Sequence, residues 1–299
     1  MSDLSLFELT GKKALVTGGA MGVGRACATA LAMGGADVAI VDLNEEVGQQ
    51  TVETIKAMGC DAFFVQCDIS DPQQVQDMTA AVVKRFGRLD IGVNNVGYGL
   101  AAGGSEGLVK SDWDGMIGVN LTGTFLCAQA QAQQMIKQTP TEGKIINTAS
   151  IFGSIAGGNV AYNAAKAGVI HLTKTLAVEW GRFNINVNCF SPSYILSTTS
   201  ADAPLWYRQR VRETTPMGYF QHAEDVYGPL LFLASRASNF VTGHNLIVDG
   251  GHTLNTWLTP LERDVPPRVS PEEEIVEVKK DLDALGVPYD QHGVKNLTQ

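Results

Sequence analysis

The sequence has little positive charge and few histidines. Its 22 lysines and arginines are outnumbered by 31 aspartates and glutamates, so the net charge is −9. This balance argues against nucleic acid or an anionic membrane surface as the main partner, because both are bound by basic patches. The five histidines form no ligand motif, and His244 and His252, which flank a Gly-Gly turn, have no third ligand near them in the sequence. We therefore expect no metal site.

Long hydrophobic runs and paired cysteines are also absent. No apolar stretch reaches the length of a membrane-spanning helix, and no charged start leads into the apolar core of a signal peptide. The five cysteines include no Cys-x-x-Cys pair, and an odd number at irregular spacing is typical of reduced thiols. We therefore expect a cytoplasmic protein without a disulfide framework.

Apolar runs of strand length alternate with helical segments along most of the chain. The 299 residues, of which 44% are hydrophobic, are enough for a large α/β core. Nearly continuous apolar strands are typical of a parallel sheet that is covered on both faces. Alternation with helices favours right-handed βαβ units and hence a doubly wound sheet. The predicted strands are 13–18, 37–42, 61–68, 89–95, 143–150, 185–191 and 244–250, and the predicted helices are 22–34, 44–58, 71–86, 110–137, 161–180 and 222–236.

The character of the sequence changes after Gly251, which predicts a main domain over residues 1–254 and an extension over 255–299. In the extension, a proline-rich segment precedes a helix with readable ends, since Ser270 is the expected N-cap and Gly286 the expected C-cap. One face of this helix is apolar, so the helix must dock to be stable. It could close the pocket of a neighbouring subunit or cover the surface of its own subunit.

A glycine-rich loop lies between the first predicted strand and the first predicted helix. Thr17, Gly18, Gly22 and Gly24 follow the pattern T-G-x-x-x-G-x-G. Glycines there let the backbone turn tightly and approach a pyrophosphate, which the N-terminus of the helix stabilises. A glycine-rich turn by itself is common, but its position between strand and helix strengthens the signal. The loop predicts a dinucleotide site.

Asp42 ends the second predicted strand, about twenty residues beyond the loop, where a carboxylate can bind the adenosine ribose. Such a carboxylate accepts hydrogen bonds from both ribose hydroxyls and repels a 2′-phosphate. The nearby residues Ala20, Met21, Leu43 and Asn44 are neutral and offer no cation to a phosphate. This combination favours NAD over NADP. The alternative is that Asp42 only begins the turn before the next helix.

Two further strand ends bring polar groups to the same edge of the sheet. Asp68 ends the third predicted strand, where it could reach an adenine amino group, and the sequence NNVG at 94–97 ends the fourth. Ligands of open α/β sheets lie at the carboxyl ends of the strands, where the strand order reverses. We therefore expect these residues to line the crevice of the dinucleotide.

Tyr162 and Lys166 stand four residues apart in the sequence AYNAAKAG. At this spacing both side chains lie on one face of a helix, where the ammonium group could favour the ionised form of the phenol. Taken alone, the pattern is more typical of an ordinary helix with one core aromatic residue and one solvated lysine. The remaining motifs decide between these two interpretations.

Together, the motifs resemble those of the short-chain dehydrogenase/reductase family in its single-domain, NAD-dependent branch. The resemblance covers about residues 8–254 and includes Asn120 in MIGVNLTG, Ser150 in NTASIFG, the Y-x-x-x-K pair Tyr162 and Lys166, and VTGHNLIVDGG at 241–251. It implies a Rossmann-like, doubly wound, seven-stranded parallel sheet flanked by helices. It also implies hydride transfer between NAD(H) and a secondary alcohol or its ketone.

The resemblance implies roles for four residues. Tyr162 is the acid/base that exchanges a proton with the substrate oxygen, and Lys166 lowers the pKa of this phenol from about 10 and holds the nicotinamide ribose. Ser150 donates a hydrogen bond to the substrate oxygen. Asn120 holds the water that links Lys166 to solvent. The simpler alternatives are a strand-end turn for Ser150 and an ordinary polar helix residue for Asn120.

The implied cofactor is NAD. The residues expected to bind it are Gly18, Met21, Gly22, Val23, Asp42, Leu43, Asp68, Ile69, Asn95, Val96, Gly97, Tyr162, Lys166, Ile195 and Ser197. One departure from the family pattern falls beside this set, because the Pro-Gly expected after the sixth strand is Pro192-Ser193 here. The backbone at that point must therefore suit a residue with a Cβ. Ile195 and Ser197 would serve the nicotinamide carboxamide.

The substrate loop is expected over residues 197–222. Trp206 and Tyr207 in this loop could cover a substrate. Its arginines could attract an anion, but an amphipathic helix with those arginines in water is favoured. No strong hydrophobic lid is evident, which favours a polyol or sugar-like secondary alcohol. Further pocket candidates, by proximity to the motifs, are Tyr98, Phe152 and Asn159.

The leading function is therefore an NAD-dependent short-chain alcohol dehydrogenase. One alternative is an NADH-dependent ketone or 3-ketoacyl reductase, because the same groups catalyse both directions. Another is a non-catalytic dinucleotide-binding or structural protein, which would be expected to lose the acid/base that this chain retains. The resemblance further implies a homotetramer, or a homodimer, with the predicted helices 110–137 and 161–180 packed across a twofold axis.

Overall fold

The structure is a computed structural model that describes residues 4–99, 104–195, 205–255, 289–290 and 293–294. It divides into two compact units, one formed by Met1–Ser191 with Val226–Ile247 and the other by Pro192–Asp225 with Val248–Gln299. The predicted extension helix and Ser197 lie outside the described residues. Both stay predictions, as does the proposed boundary after residue 254.

Within the described residues, seven strands form one sheet: β1 (Lys13–Thr17), β2 (Asp37–Asp42), β3 (Ala62–Gln66), β4 (Ile91–Asn94), β5 (Gly143–Thr148), β6 (Ile185–Pro192) and β7 (Asn245–Val248). Their order is β3-β2-β1-β4-β5-β6-β7, and the pairs from β3 to β6 are parallel. The predicted doubly wound sheet is confirmed. Because the strand order reverses between β1 and β4, the ligand crevice is expected at the carboxyl ends of these two strands.

The helices among the described residues are α1 (Gly22–Met33), α2 (Glu45–Ala57), α3 (Pro72–Phe86), α4 (Lys110–Ile117), α5 (Thr124–Lys137), α6 (Val160–Trp180), α7 (Leu205–Thr214) and α8 (Tyr227–Ala234). Local chemistry sets their starts. Asn44 caps α2 by accepting a hydrogen bond from the backbone N–H of Val47, and Asp71 caps α3 just before Pro72. In the part of the chain that is described, no helix combines the length and apolarity needed to cross a bilayer.

The predicted helix 110–137 is confirmed as a continuous helical stretch, but its geometry changes from α to π and back within it. Gly118–Gly123 forms a π-helical segment between α4 and α5. The side-chain amide of Asn120 within it donates to the carbonyl oxygen of Met116, at 3.0 Å, and to that of Tyr98, at 2.9 Å. The second bond joins the π-helical segment to the loop after β4. Single π-helical turns are frequent at functional sites.

The first unit has its core around the central strands. Every residue of β4 is buried, as are the last four residues of β1. Four of the cysteines are part of this interior, and burial raises the pKa of each thiol: Cys27, Cys67, Cys127 and Cys189. These thiols therefore act as small packing groups rather than as nucleophiles.

Candidate active site

The glycine-rich loop joins the end of β1 to the start of α1. Gly18 and Gly22 have φ angles of 64° and 54°, in the region that favours glycine. A Cβ on Gly24 would lie 1.8 Å from the carbonyl oxygen of Gly18, whereas no atom lies within 4 Å of the Cβ position of Gly22. The loop is thus folded tightly on its inner side and open on its outer side. This form fits the pyrophosphate of a dinucleotide.

Thr17 ties this loop to the end of β4. Its hydroxyl oxygen accepts a hydrogen bond from the backbone N–H of Asn95, at 3.0 Å. The side-chain amide of Asn95 donates to the carbonyl oxygen of Gly18, at 3.4 Å, and its Oδ1 accepts from the hydroxyl of Thr148, at 3.3 Å. The ends of β1, β4 and β5 are therefore held in one arrangement where the strand order reverses.

Asp42 ends β2 beside the same loop. Its Oδ2 accepts a hydrogen bond from the backbone N–H of Ala20, at 3.1 Å, and its Oδ1 accepts from the N–H groups of Leu43 and Asn44, at 2.8 and 3.2 Å. A carboxylate oxygen has two lone pairs, so Oδ2 retains capacity for a ribose hydroxyl. Leu43 and Met21 beside it are 62% and 42% exposed and carry no charge. These surroundings fit a ribose better than a phosphate.

Asp68 and Ile69 follow β3 and make different contacts. The Oδ1 atom of Asp68 accepts hydrogen bonds from the backbone N–H and the hydroxyl of Ser70, at 2.9 and 2.7 Å, which closes a turn. Ile69 is buried, and a Cβ on Gly123 would lie 2.7 Å from its Cδ1. The Ile69 side chain therefore packs on the π-helical segment, so only its backbone is suited to a cofactor contact.

The remaining cofactor-binding candidates of the first unit differ in their exposure. Gly97 is exposed, whereas Val23 and Val96 are half-buried. Val23 lies in the first turn of α1, directly beyond the glycine-rich loop. Val96 follows Asn95, so its backbone belongs to the strand end that Thr17 holds. The backbone N–H of Val96 lies 3.5 Å from the Thr17 hydroxyl oxygen.

Asn159 begins the helix that carries Tyr162. Its side-chain oxygen accepts hydrogen bonds from the backbone N–H groups of Ala161, at 2.9 Å, and Tyr162, at 3.5 Å. Asn159 is therefore the N-cap of α6, and the pocket contact expected for it stays a prediction. Phe152 does lie beside the tyrosine, since the two rings meet edge to face with centroids 6.5 Å apart.

Ser150 lies two residues beyond the end of β5, and its side chain is close enough to the Tyr162 phenol to lower the pKa of that group. Its hydroxyl oxygen also accepts from the backbone N–H of Phe152, at 3.2 Å. The strand-end turn expected as the simpler alternative is thus present, and the hydrogen bond from Ser150 to the substrate oxygen stays a prediction. Ser150 is buried, whereas Tyr162 is half-buried, so the phenol lies at the edge of the interior.

Lys166 lies one turn beyond Tyr162 on α6 and is only 2% exposed. Its Nζ donates a hydrogen bond to the carbonyl oxygen of Thr148, at 2.9 Å, and lies 5.6 Å from the centroid of the Tyr162 ring. Burial lowers the pKa of this ammonium group to about 8. The solvated-lysine interpretation is therefore wrong.

The pKa of Tyr162 departs from the expectation. Burial raises the pKa above its ordinary value, and the hydrogen bond with Ser150 lowers it by less. The expected dominance of Lys166 is not seen, because desolvation of the phenolate is the larger effect. The hydroxyl of Ser150, rather than the ammonium group, is the partner that favours the ionised phenol here.

Asn120 turns an unpaired oxygen towards this site. Within the described residues, its buried Oδ1 has no hydrogen-bond partner. A Cβ on Gly97 would lie 2.6 Å from this Oδ1 and 3.0 Å from the Nζ of Lys166, so the amide oxygen and the ammonium group border the same space. A buried acceptor of this kind is commonly paired with an ordered water or a ligand hydroxyl.

The second unit holds the departure from the family pattern. The backbone N–H of Ser193 donates to Oε1 of Gln221, at 2.7 Å, and Ile195 pairs with Gln221 in an isolated parallel bridge. Ser193 has an ordinary backbone conformation, since Asn184 is the non-glycine residue with a positive φ in the described ranges. A side chain at position 193 is thus accommodated without strain.

The arginine-rich segment forms α7, in agreement with the favoured amphipathic helix. Val211 is buried against Phe220, and the guanidinium group of Arg212 lies 5.8 Å from the centroid of the Phe220 ring. Arg210 lies 3.9 Å from a carboxylate oxygen of Glu213. The arginines therefore have separate surroundings rather than a shared anion pocket. Trp206 is 70% exposed.

Comparisons with known proteins agree with this architecture. The family model described as "Enoyl-(Acyl carrier protein) reductase" matches residues 18–253. D-threitol dehydrogenase of Mycolicibacterium smegmatis is 38% identical over 253 residues, which make up 83% of this chain and 95% of that protein. A short-chain type dehydrogenase/reductase from Mycobacterium marinum has a solved structure that superposes with a TM-score of 0.78 at 35% identity, over 85% of this chain and 99% of that chain.

The chain belongs to the short-chain dehydrogenase/reductase family. Another member, a gluconate 5-dehydrogenase from Burkholderia cenocepacia, was solved in complex with NADP and tartrate. It is 34% identical, with a TM-score of 0.79 over 84% of this chain and 98% of that chain. This short-chain dehydrogenase/reductase is accordingly an oxidoreductase that acts on an alcohol or ketone with a nicotinamide dinucleotide.

Sequence reasoning missed two groups of this dehydrogenase/reductase site. The carbonyl oxygen of Thr148 accepts from Lys166, and a backbone acceptor leaves no side-chain signal. The capping role of Asn159 had a signal, because an asparagine directly before a helical segment is a typical N-cap. Its position three residues before Tyr162 was interpreted as a pocket contact instead.

Proposed function

We propose that this chain is an NAD-dependent dehydrogenase of secondary alcohols, with a polyol or sugar-like substrate. The observation that carries the proposal is the grouping of the buried Ser150 and Lys166 around the half-buried Tyr162. The Ser150 side chain lowers the pKa of the phenol, and the ammonium group lies 5.6 Å from the ring centroid. These are the groups needed to move one proton to or from a substrate oxygen.

In the oxidation direction, Tyr162 takes the proton of the substrate hydroxyl on its phenolate oxygen. The bound nicotinamide supplies the acceptor for the hydride that leaves the substrate carbon. Ser150 donates a hydrogen bond to the same substrate oxygen and stabilises the negative charge that develops there. In the reduction direction, Tyr162 returns the proton to the oxygen of the ketone.

Lys166 and Asn120 return Tyr162 to its starting state. The Nζ atom of Lys166 lies 5.6 Å from the centroid of the Tyr162 ring, which places the ammonium group within the proposed proton relay. The amide oxygen of Asn120 faces the space beside Lys166, where it suits a water that accepts a proton from the lysine and passes it outward. This relay replaces direct contact between Tyr162 and bulk solvent.

The preference for NAD rests on the charge of Asp42. Its carboxylate can accept a hydrogen bond from a ribose hydroxyl, whereas a 2′-phosphate at the same place would meet a like charge. The backbone N–H groups already bound to Asp42 hold it at this position. The B. cenocepacia relative was solved with NADP, so the two cofactors have to be separated by experiment.

The polyol class is supported by relatives rather than by the geometry. D-threitol dehydrogenase and gluconate 5-dehydrogenase are named for substrates that carry several hydroxyl groups. The proposed assembly is a homotetramer, and sedimentation of the purified chain tests it, since a monomer would refute it.

A substrate and cofactor panel tests the proposed function. Threitol, glycerol, gluconate and a simple secondary alcohol are each offered with NAD and with NADP, and the absorbance of the reduced cofactor is followed. The reverse reaction is tested with the matching ketones and with a 3-ketoacyl thioester. We expect polyol oxidation with NAD at roughly tenfold or higher kcat/KM than with NADP, which corresponds to about 1.4 kcal/mol. Turnover of the thioester alone, or a preference for NADP, would contradict the proposal.

A further inference from the structure

Four buried polar side chains form a continuous hydrogen-bonded chain beneath the catalytic groups. Asn94 and Asn147 are register partners on β4 and β5, and the amide of Asn94 donates to Oδ1 of Asn147, at 3.0 Å. Gln131 of α5 donates to Oδ1 of Asn94, at 2.7 Å. The amide of Asn147 donates to the hydroxyl of Thr173 on α6, at 3.0 Å. All four are 2% exposed or less, and we call them the asparagine network.

The asparagine network occupies space that apolar side chains could fill. A Cβ on Gly92 would lie 2.2 Å from Oε1 of Gln131. The Gln131 amide therefore fits against β4 because residue 92 is a glycine. Burying polar groups is unfavourable unless each is paired, and a satisfied network then fixes one relative placement of its elements. Hydrophobic packing alone would allow neighbouring helices to slide.

The network is connected to Lys166 in two ways, through strand β5 and through helix α6. Thr148 follows Asn147 along β5, and its carbonyl oxygen holds Nζ of Lys166, at 2.9 Å. Thr173 lies two helical turns beyond Lys166, on the same face of α6. Helix α6 is thus attached to β5 at two points, once through Thr173 and once through Lys166. Two attachments fix the position of a helix along its axis, which one attachment does not.

A second group joins Thr173 to the surroundings of the lysine. The Thr173 hydroxyl donates to the carbonyl oxygen of Val169, at 2.8 Å, and is close enough to the Cys189 thiol of β6 to lower the pKa of that group. Cys189 and Tyr162 are the titratable side chains beside Lys166 among the described residues. A change at Thr173 can therefore reach Lys166 through β5, and the Cys189 thiol of β6 lies near both side chains.

We infer that Thr173 and Gln131 are positioning residues for the reaction. Through Asn147 and Asn94, they fix the position of Lys166 relative to the carbonyl oxygen of Thr148. This inference rests on the proposed role of Lys166. Without the hydroxyl of Thr173, the amide of Asn147 loses its partner, β5 and α6 lose one attachment, and the bond from Lys166 to Thr148 weakens. A carbonyl acceptor favours the charged ammonium group, so its loss lowers the pKa of Lys166.

The test compares Thr173→Val with Thr173→Ser and Thr175→Val. Thr175 lies on the same helix and also donates to a carbonyl four residues earlier, that of His171, but it is exposed and outside the network. We expect Thr173→Val to lower kcat roughly fivefold and to move the alkaline limit of kcat downward by about half a pH unit. Thr173→Ser should keep kcat and its alkaline limit close to the wild-type values, and Thr175→Val should leave both quantities unchanged.

An unchanged pH limit in folded Thr173→Val overturns the inference, whatever happens to its melting temperature. An equal shift in Thr175→Val overturns it as well. If Thr173→Val does not fold, Gln131→Met takes its place, because it breaks the network at the other end. The same two quantities, kcat and its alkaline limit, are then measured on Gln131→Met. Tyr162→Phe, measured in parallel, separates the proposed function from the positioning role. An active Tyr162→Phe enzyme refutes the proposed function, whereas an unchanged pH limit in Thr173→Val refutes only the positioning role.

Discussion

The Nζ atom of Lys166 donates a hydrogen bond to the carbonyl oxygen of Thr148, 2.9 Å away. This bond joins the helix that carries Tyr162 to the strand that leads to Ser150. It also holds a cation in a place that is almost closed to water, where burial lowers the pKa of the lysine to about 8. The acid/base site is therefore built around a charge that the fold must stabilise.

Lys166→Met should change the pH dependence of stability. The folded protein lowers the pKa of Lys166 from 10.5 to about 8, so the unfolded chain binds more protons between these values and the wild-type gains stability as the pH rises through this range. The variant lacks this gain. We expect its melting temperature, relative to wild-type, to be highest near neutral pH and to fall as the pH approaches 10. A difference that stays constant with pH would count against the buried cation.

Asp42→Asn should relax the cofactor preference. The amide oxygen can still accept from the N–H groups of Leu43 and Asn44, while the amide NH2 group replaces the oxygen that accepts from Ala20. The charge that repels a 2′-phosphate is gone. We expect the ratio of kcat/KM for NAD to that for NADP to fall about tenfold, or by about 1.4 kcal/mol. Steady-state kinetics with both cofactors measures this ratio. An unaltered ratio would show that Asp42 does not meet the ribose.

Asn159→Ala should lower both stability and turnover, whereas Asn44→Ala should lower stability alone. Both asparagines cap helices through their side-chain oxygens, and loss of such a cap costs about 1 kcal/mol. Only the α6 cap holds the backbone of Tyr162. Thermal melts and kcat measured on the two variants separate the effects. Equal turnover in both would mean that the α6 cap does not position the tyrosine.

Gly24→Ala should weaken dinucleotide binding at least tenfold, about 1.4 kcal/mol. The added methyl group would lie 1.8 Å from the carbonyl oxygen of Gly18, so the loop must open, whereas a Cβ on Gly228 meets no atom within 4 Å. Gly228→Ala is thus a matched control in the first turn of another helix. Titration of NADH by fluorescence measures both affinities. Tight binding to Gly24→Ala would exclude the loop as the pyrophosphate site.

The sheet could be predicted because apolar periodicity determines it locally. The predicted second strand, 37–42, has the observed bounds, and the arginine-rich segment forms the expected helix. The π-helical geometry of Gly118–Gly123 could not be predicted, nor could the hydrogen bond from Asn120 within it to the carbonyl of Tyr98, a residue distant in sequence. Long-range polar contacts of this kind leave no periodic signal.

The site residues could be predicted from their motifs, but the direction of the pKa shift of Tyr162 could not. The sequence places Lys166 one turn from Tyr162, which suggested that the ammonium group dominates the pKa of the phenol. In the structure, burial has the larger effect and acts in the opposite direction. Desolvation depends on everything that packs around the phenol, including Phe152, and therefore on the completed fold.

The most direct test of the account is turnover by Tyr162→Phe, measured with the affinity of the same variant for NADH. The substitution removes the hydroxyl and keeps the ring that packs against Phe152. We expect kcat/KM to fall by about a thousandfold or more, as loss of a general acid/base requires, with NADH affinity within about twofold of wild-type. Turnover near the wild-type level with intact NADH binding would contradict the central claim that this phenol exchanges the substrate proton.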